Sequence, residues 1–351
     1  MAINLTTKFS DKVAERFSLR SLTDAHAGKA YDFSGVKSIK IYSVDAVDVG
    51  DYTRSGTNRF GTINELGDTL QEMTMTQDKA FTFSVDAGNA AEQMNIKQVA
   101  RRLKVNWDER ATPLIDKYRF SKWIAGAGLT AAESGALTKT NIVEKIMTAT
   151  AAMSNALVPL PNRTLFVKES VYIQCKLATE IVNIEKMANE SIANGVVGSI
   201  DGMKVVRVPD SYFPAGVNFL IKYKNSTVDP MKLKTLRVHK NPMGIDGDVG
   251  ECRFLHDAFV LGTKANGLYV SAAAANIAET PSISISANKA TVTSGTASAV
   301  IHYTLDGTDP KTSPTAQTYG SSAVDMSAGQ TIKAYASKSG LLNSGVAEAA
   351  N

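Results

Sequence analysis

The side chains with which this sequence could do chemistry are few and scattered. It holds four histidines (His26, His239, His256 and His302) and two cysteines, Cys175 and Cys252. Cys252 and His256 offer two metal ligands at helical spacing, but a structural zinc needs four and no second pair lies nearby. The cysteines are expected as reduced, buried thiols. Asp306-Gly307-Thr308-Asp309-Pro310 sets two carboxylates within one turn. They could hold calcium, yet an aspartate turn that bonds its own backbone is the commoner use of this pattern. A nucleophile elbow needs Gly-x-Ser-x-Gly, and the nearest run, Gly198-Ser199-Ile200-Asp201-Gly202, has the wrong spacing and reads as a hairpin turn. Gly56 to Gly61 is not followed by the Lys-Ser/Thr of a phosphate-binding loop. The larger part of the chain shows no repeated strand–helix period on which a barrel could carry paired acids. These readings predict a protein that is not an enzyme and uses no cofactor or metal.

The rest of the composition is that of a folded chain. With 351 residues, 44% hydrophobic and 21% charged, it is long enough for two or three domains and too apolar to be disordered. Every apolar stretch is broken within a few residues by a polar one, so no membrane span is expected. The first residues lack the apolar core of a signal peptide, which predicts synthesis in a cytoplasm. Net charge is +4, and the first forty residues carry seven Lys or Arg against four acids. That surplus describes a mildly basic arm and is far short of a dedicated nucleic-acid binder.

The elements that must position any site change character near 272–281. Beyond it Ser, Thr and Ala make up 34 of the 72 residues from 280 to 351, and Arg, Cys, Trp and Phe vanish. Ile283 and Ile285, Ile301, Tyr303 and Leu305, and Ile332, Ala334 and Ala336 alternate with polar residues, which predicts a small antiparallel sandwich. Ahead of it, alternation around Ile39 and Ile41, at 73–76 and at 81–85 brackets the polar, glycine-marked stretch Asp51 to Gly61. This predicts two long strands joined by a broad tip. Such a ribbon is marginal in water alone, so something else must cover it. A long helical stripe follows over about 90–127 (Val99, Leu103, Trp107, Ala111, Leu114, Tyr118), with a kink or fresh start expected at Thr112-Pro113. A second helix is expected from Thr140 to Asn155 and a third from Ser170 to Glu180, the latter between strands at 164–167 and 205–208.

Taken in order, several segments resemble the major capsid proteins of tailed bacteriophages. They are Gly50 to Arg54, Met75 to Lys79, Phe81 to Asp86 with Asn89 to Glu92, Pro113 to Lys122, Gly198 to Val205, Gly244 to Gly247, and His256 to Val260 with Lys264 to Val270. The resemblance implies an α+β chain with the Hong Kong 97-type capsid fold over 1–275. Its parts would be an N-terminal arm (1–35), an extended E-loop hairpin (36–86), a spine helix (90–127), and peripheral and axial domains over 128–275. A short linker (276–280) would lead to the remaining domain, 281–351. There, Ala299 to Pro310, Thr331 to Ala336 and Gly340 to Ser344 resemble the immunoglobulin-like domain at the C-terminus of chitobiase and hexosaminidase enzymes, an accessory without catalysis.

The resemblance implies a homo-oligomer of hexamers and pentamers closing an icosahedral shell around double-stranded DNA, bound without sequence specificity. Its location would be the virion capsid, assembled in a host bacterial cytoplasm. A separate scaffolding protein, a portal and accessory capsid proteins are the further candidate partners. The last domain would project outward, with a host-surface glycan as its candidate ligand. The alternative reading is a surface adhesin in which 281–351 is the carbohydrate-binding unit. Candidate inter-subunit contacts are Tyr52, Arg54, Arg59 and Phe60 at the hairpin tip and Lys8, Lys12, Arg16 and Arg20 on the arm. The plainer reading of Phe60 is that it packs within its own loop.

Overall fold

The structure is a computed structural model that describes residues 18–28, 31, 33, 37–44, 49–61, 63, 65–92, 98–178 and 196–351. Its first strands are β1 (Ser38–Val44), β2 (Asp68–Thr74) and β3 (Gln77–Asp86), followed by helices α1 (Ala87–Glu92), α2 (Val99–Asn106) and α3 (Thr112–Ala125). Next come β4 (Leu129–Glu133), α4 (Ile142–Asn155), β5 (Arg163–Lys168), α5 (Glu169–Leu177), β6 (Val196–Ile200), β7 (Met203–Val208) and β8 (Val217–Tyr223). The body closes with β9 (Thr227–Val228), β10 (Met231–Lys240), β11 (Gly247–His256), β12 (Phe259–Val260) and β13 (Leu268–Ala273). The last module holds β14 (Ser282–Ser286), β15 (Lys289–Thr293), β16 (Val300–Thr304), β17 (Gln317–Thr318), β18 (Val324–Asp325), β19 (Thr331–Ser337) and β20 (Ala347–Ala350).

Strands β1 and β2 form a hairpin in strict register, from Ser38 opposite Thr74 to Val44 opposite Asp68. Period-two alternation turns Ile39, Ile41 and Met73 toward Phe33, Met75, Leu255 and Leu261, which bury the base of the ribbon. Strands β1 and β2 pair as far as Thr74, and the alternating stretch at 81–85 belongs to the next strand. Strand β3 instead runs along β11, from Gln77 opposite His256 to Asp86 opposite Gly247. Alternation fixes which face of a strand is apolar and leaves its partner open.

The long helical path from Val99 to Ala125 lies across the three-stranded sheet β10-β11-β3. Leu103, Trp107, Ala111 and Ile115 pack on Phe81, Phe83, Cys252 and Phe254. The irregularity expected at Pro113 takes the form of a π-helical turn, Trp107–Ala111, where Thr112 N–H bonds the Trp107 carbonyl five residues back. The wider turn makes room for a proline ring that would otherwise press on the carbonyl four residues earlier.

A six-stranded mixed sheet, β4-β13-β8-β5-β7-β6, forms the rest of the body. One face carries α4 and α5 through Ile142, Ile146, Met153 and Tyr172. The other carries α3 through Phe120, Trp123 and Ile124. Asp201 and Gly202, both at positive φ, make the two-residue turn between β6 and β7. In the final module, sheets β14-β15-β18 and β17-β16-β19-β20 close over Ala290, Val292, Tyr303, Met326, Ile332 and Ala334. Among the described residues, no helix is long and apolar enough to cross a membrane.

Candidate inter-subunit surface

Beyond its buried base the hairpin leaves its own chain behind. Phe60 is 93% exposed, Ile63 95% and Val49 fully, with Tyr42, Val44, Tyr52 and Leu66 also more than half exposed. Phe60 meets the edge of Tyr52 at 4.9 Å between ring centroids, yet this contact covers little of it. Packing within its own loop therefore does not account for Phe60. Arg54 and Arg59 are exposed beside them, and Arg59 Nε donates to the Gly56 carbonyl (3.2 Å). Contiguous apolar exposure on this scale is rare on a soluble monomer.

One carboxylate fixes where the hairpin leaves the body. Asp257 Oδ2 accepts Thr76 N–H (2.7 Å) and Thr76 Oγ1 (3.0 Å), while Oδ1 accepts the Tyr118 hydroxyl (2.8 Å) and Ala258 N–H (2.8 Å). Hairpin exit, spine helix and the turn after β11 thus share one buried group. Burial, then the bond to Asp257, pushes the Tyr118 phenol up to about 12. A second tie comes from Gln71, whose Nε2 donates to the Val260 carbonyl (2.9 Å) and whose Oε1 accepts Gly262 N–H (3.0 Å).

Residues 21–24 are pinned by charges set into the apolar face of α3, and 26–28 by Lys222 and Asp229. Asp116 accepts Ser21 Oγ (2.8 Å), Leu22 N–H (2.9 Å) and Thr23 Oγ1 (2.5 Å), and Arg119 Nη1 donates to Thr23 Oγ1 (2.8 Å) and pairs with Asp24. Burial raises the Asp116 carboxyl above its usual range against these bonds. Lys222 Nζ donates to the His26 carbonyl (2.8 Å) and lies 4.6 Å over the Trp123 ring. Burial pulls that lysine down to about 8 and the His26 imidazole down to about 4. Asp229 completes the network, taking Trp123 Nε1–H (2.7 Å) and Gly28 N–H (3.0 Å). Sequence reading missed Asp116, Arg119, Lys222, Asp229 and Asp257. A signal existed for the first two, an acid and a base three apart beside Ile115 and Phe120 on the buried stripe. Arg20 is exposed next to this anchor; Lys8, Lys12 and Arg16 lie outside the described residues.

The side chains that suggested chemistry resolve into structure. Cys252, Phe254 and His256 are alternate residues of β11, so the helical spacing read for Cys252 and His256 is corrected to one strand face. Both cysteines are free and buried, and burial pushes the Cys175 thiol up to about 12. Asp306 Oδ1 accepts Thr308 N–H (3.1 Å) and Asp309 accepts Lys311 N–H (2.9 Å), the self-bonding turn expected. No cluster of three metal-ligating side chains exists among the described residues.

The three tyrosines of the module each have an internal contact. Tyr303 is buried with its hydroxyl donating to Gln317 Oε1 (2.9 Å), Tyr319 packs edge-on against it, and Tyr335 stacks on His302 with Lys311 Nζ over its ring.

Comparison with known proteins agrees with this geometry. Residues 281–348 match the family described as Chitobiase/beta-hexosaminidase C-terminal domain. No curated protein matches the chain in sequence. Among solved structures, a chain of Mycobacterium phage Che8 superposes with a TM-score of 0.60 at 15% identity, over 76% of this chain and 96% of that one. The capsid structure of Cyanophage P-SCSP1u gives 0.61 at 14% identity, over 76% and 92%. The mature capsid of bacteriophage PhiM1 gives 0.60 at 13%, over 77% and 92%. The chain therefore has the Hong Kong 97-type fold of tailed-phage capsid chains, followed by a small all-β immunoglobulin-like domain.

Proposed function

We propose that this chain is the major capsid protein of a tailed double-stranded DNA phage, a structural protein that self-assembles into an icosahedral shell around the genome. The observation that carries this reading is the hairpin. Its base is buried by its own body, and at its tip, Val49 to Leu66, apolar side chains such as Phe60 and Ile63 stay exposed among the described residues. In a closed lattice each such tip finds a neighbour, and modest contacts repeat over every subunit. The fold shared with capsid chains supports the same reading. We further assign Tyr52, Arg54, Arg59 and Phe60 to contact with a neighbouring subunit, Arg20 with Lys8, Lys12 and Arg16 to an adjacent acidic surface, and the immunoglobulin-like domain to the outer face of the shell. No observation on the module favours the glycan-binding alternative: Tyr303 is buried, and Tyr319 and Tyr335 are half-buried against Tyr303 and His302. Negative-stain electron microscopy of the expressed chain, alone and with its scaffolding partner, tests the proposal. Closed shells of uniform diameter are expected, and dispersed subunits under both conditions would refute it.

A further inference from the structure

The join between the C-terminal module and the body is more than a peptide connection. Ile277 and Ala278 are buried. Ala278 N–H donates to the Leu342 carbonyl (2.9 Å) and Leu342 N–H to the Asn276 carbonyl (2.8 Å), while the Leu342 side chain packs on the core beside α3. Farther along, Val346 N–H donates to the Gly128 carbonyl (2.9 Å) and Lys311 Nζ to the Ala127 carbonyl (2.5 Å). Both acceptors lie in the short turn between α3 and β4.

The same face of the module reaches the hairpin through one residue of the body. Gly262 gives its N–H to Gln71 of β2 on one side. On the other, a Cβ placed at Gly262 would stand 2.5 Å from Thr312 Oγ1 and 3.3 Å from Asp309 Cβ. The loop is thus held between hairpin and module with no room for a side chain. Around it lies a cleft of about 850 Å³, lined by Tyr42 and Leu70 of the hairpin, Lys264 of the loop, and Thr308, Lys333 and Glu348 of the module.

We infer that the immunoglobulin-like module is a fixed brace. It backs the loop at 260–264 and, through Gln71, sets the direction in which the hairpin leaves the body. A tethered appendage would need none of these contacts.

Hydrogen exchange on the full chain, kept in one assembly state throughout, tests it. Wild-type amides of Val346 and Leu342 are expected to exchange at least a hundredfold more slowly than unstructured ones. Lys311→Met removes a module-to-body bond without touching the hairpin. It should speed Val346 and the amides of β2 tenfold or more, while those of α3 and β19 stay unchanged. Gly262→Leu, a wedge at the junction, should do the same more strongly. If that variant does not fold, as unprotected α3 amides would reveal, Lys311→Met still decides. Unprotected Val346 in the wild type would overturn the docking, and a freed Val346 with unaltered β2 amides would overturn the brace.

Discussion

Phe60 and His256 show two opposite fates of an aromatic ring. Phe60 lies in solvent and has a partner's worth of area to bury, roughly 1.5–3 kcal/mol for such a side chain. Phe60→Ala is expected to leave the subunit's unfolding free energy within about 0.5 kcal/mol of wild type. It should raise the concentration at which light scattering detects assembly by about tenfold for each 1.4 kcal/mol lost. His256 is fully buried between Tyr118 and Phe254, and neither ring nitrogen has a hydrogen-bond partner among the described residues. Burial, aided by the Arg119 charge, pulls its imidazole from 6.5 down to about 4. Above pH 6.5 folded and unfolded chains both hold it neutral. As pH falls from 6.5 toward 4, the unfolded chain gains a proton that the buried ring refuses, so stability declines by up to about 3 kcal/mol. His26 titrates in the same window and the same direction. Chemical denaturation at pH 7 and pH 4.5 should show this loss, and His256→Phe should reduce it. That the histidines are scattered was plain from the sequence; that this one is sealed between rings follows from packing.

Elements were legible where period and punctuation agree. The helix from Val99 to Ala125 announced itself by a four-residue apolar stripe, and it ends at Gly126, where a Cβ would meet Val260 at 2.6 Å. The π-turn before Pro113 was readable only as a disturbance, since a sequence shows that the helical ladder must give way without showing how. The hairpin's existence was legible in its alternation, its end at Thr74 was not, and the cause is Asp257. That residue looks like any acid after a strand, and only the fold brings Thr76 and Tyr118 to it. Asp257→Ala removes four bonds at once and leaves buried donors unpaired, a cost of about 2–4 kcal/mol. Thermal unfolding should register that loss. Hydrogen exchange should locate its earliest opening at 74–78, and opening first in the six-stranded sheet would refute this role.

At the scale of the whole molecule, the proposed shell has two candidate contacts between copies, the apolar hairpin tips and the basic arm, and salt separates them. Raising salt from 0.1 M to 1 M shortens the screening length from about 10 Å to about 3 Å, which weakens any pairing of the basic arm and leaves apolar burial intact. If the tips dominate, particles seen by dynamic light scattering should persist at 1 M salt. Dissolution there would transfer the main role to Lys8, Lys12, Arg16 and Arg20. The sequence by itself determined the change of character near 272–281, the sandwich pattern beyond it, the ribbon and the long helix. Each of these is written in local periodicity, composition and spacing. Tertiary structure alone decided that β3 leaves the hairpin for β11, that Asp116, Arg119 and Lys222 are buried working parts, and that the last module is seated on Ala127, Gly128 and Gly262. Those outcomes depend on which surfaces meet across long stretches of chain, and a hydrogen-bond donor does not record its acceptor in its own neighbourhood of the sequence.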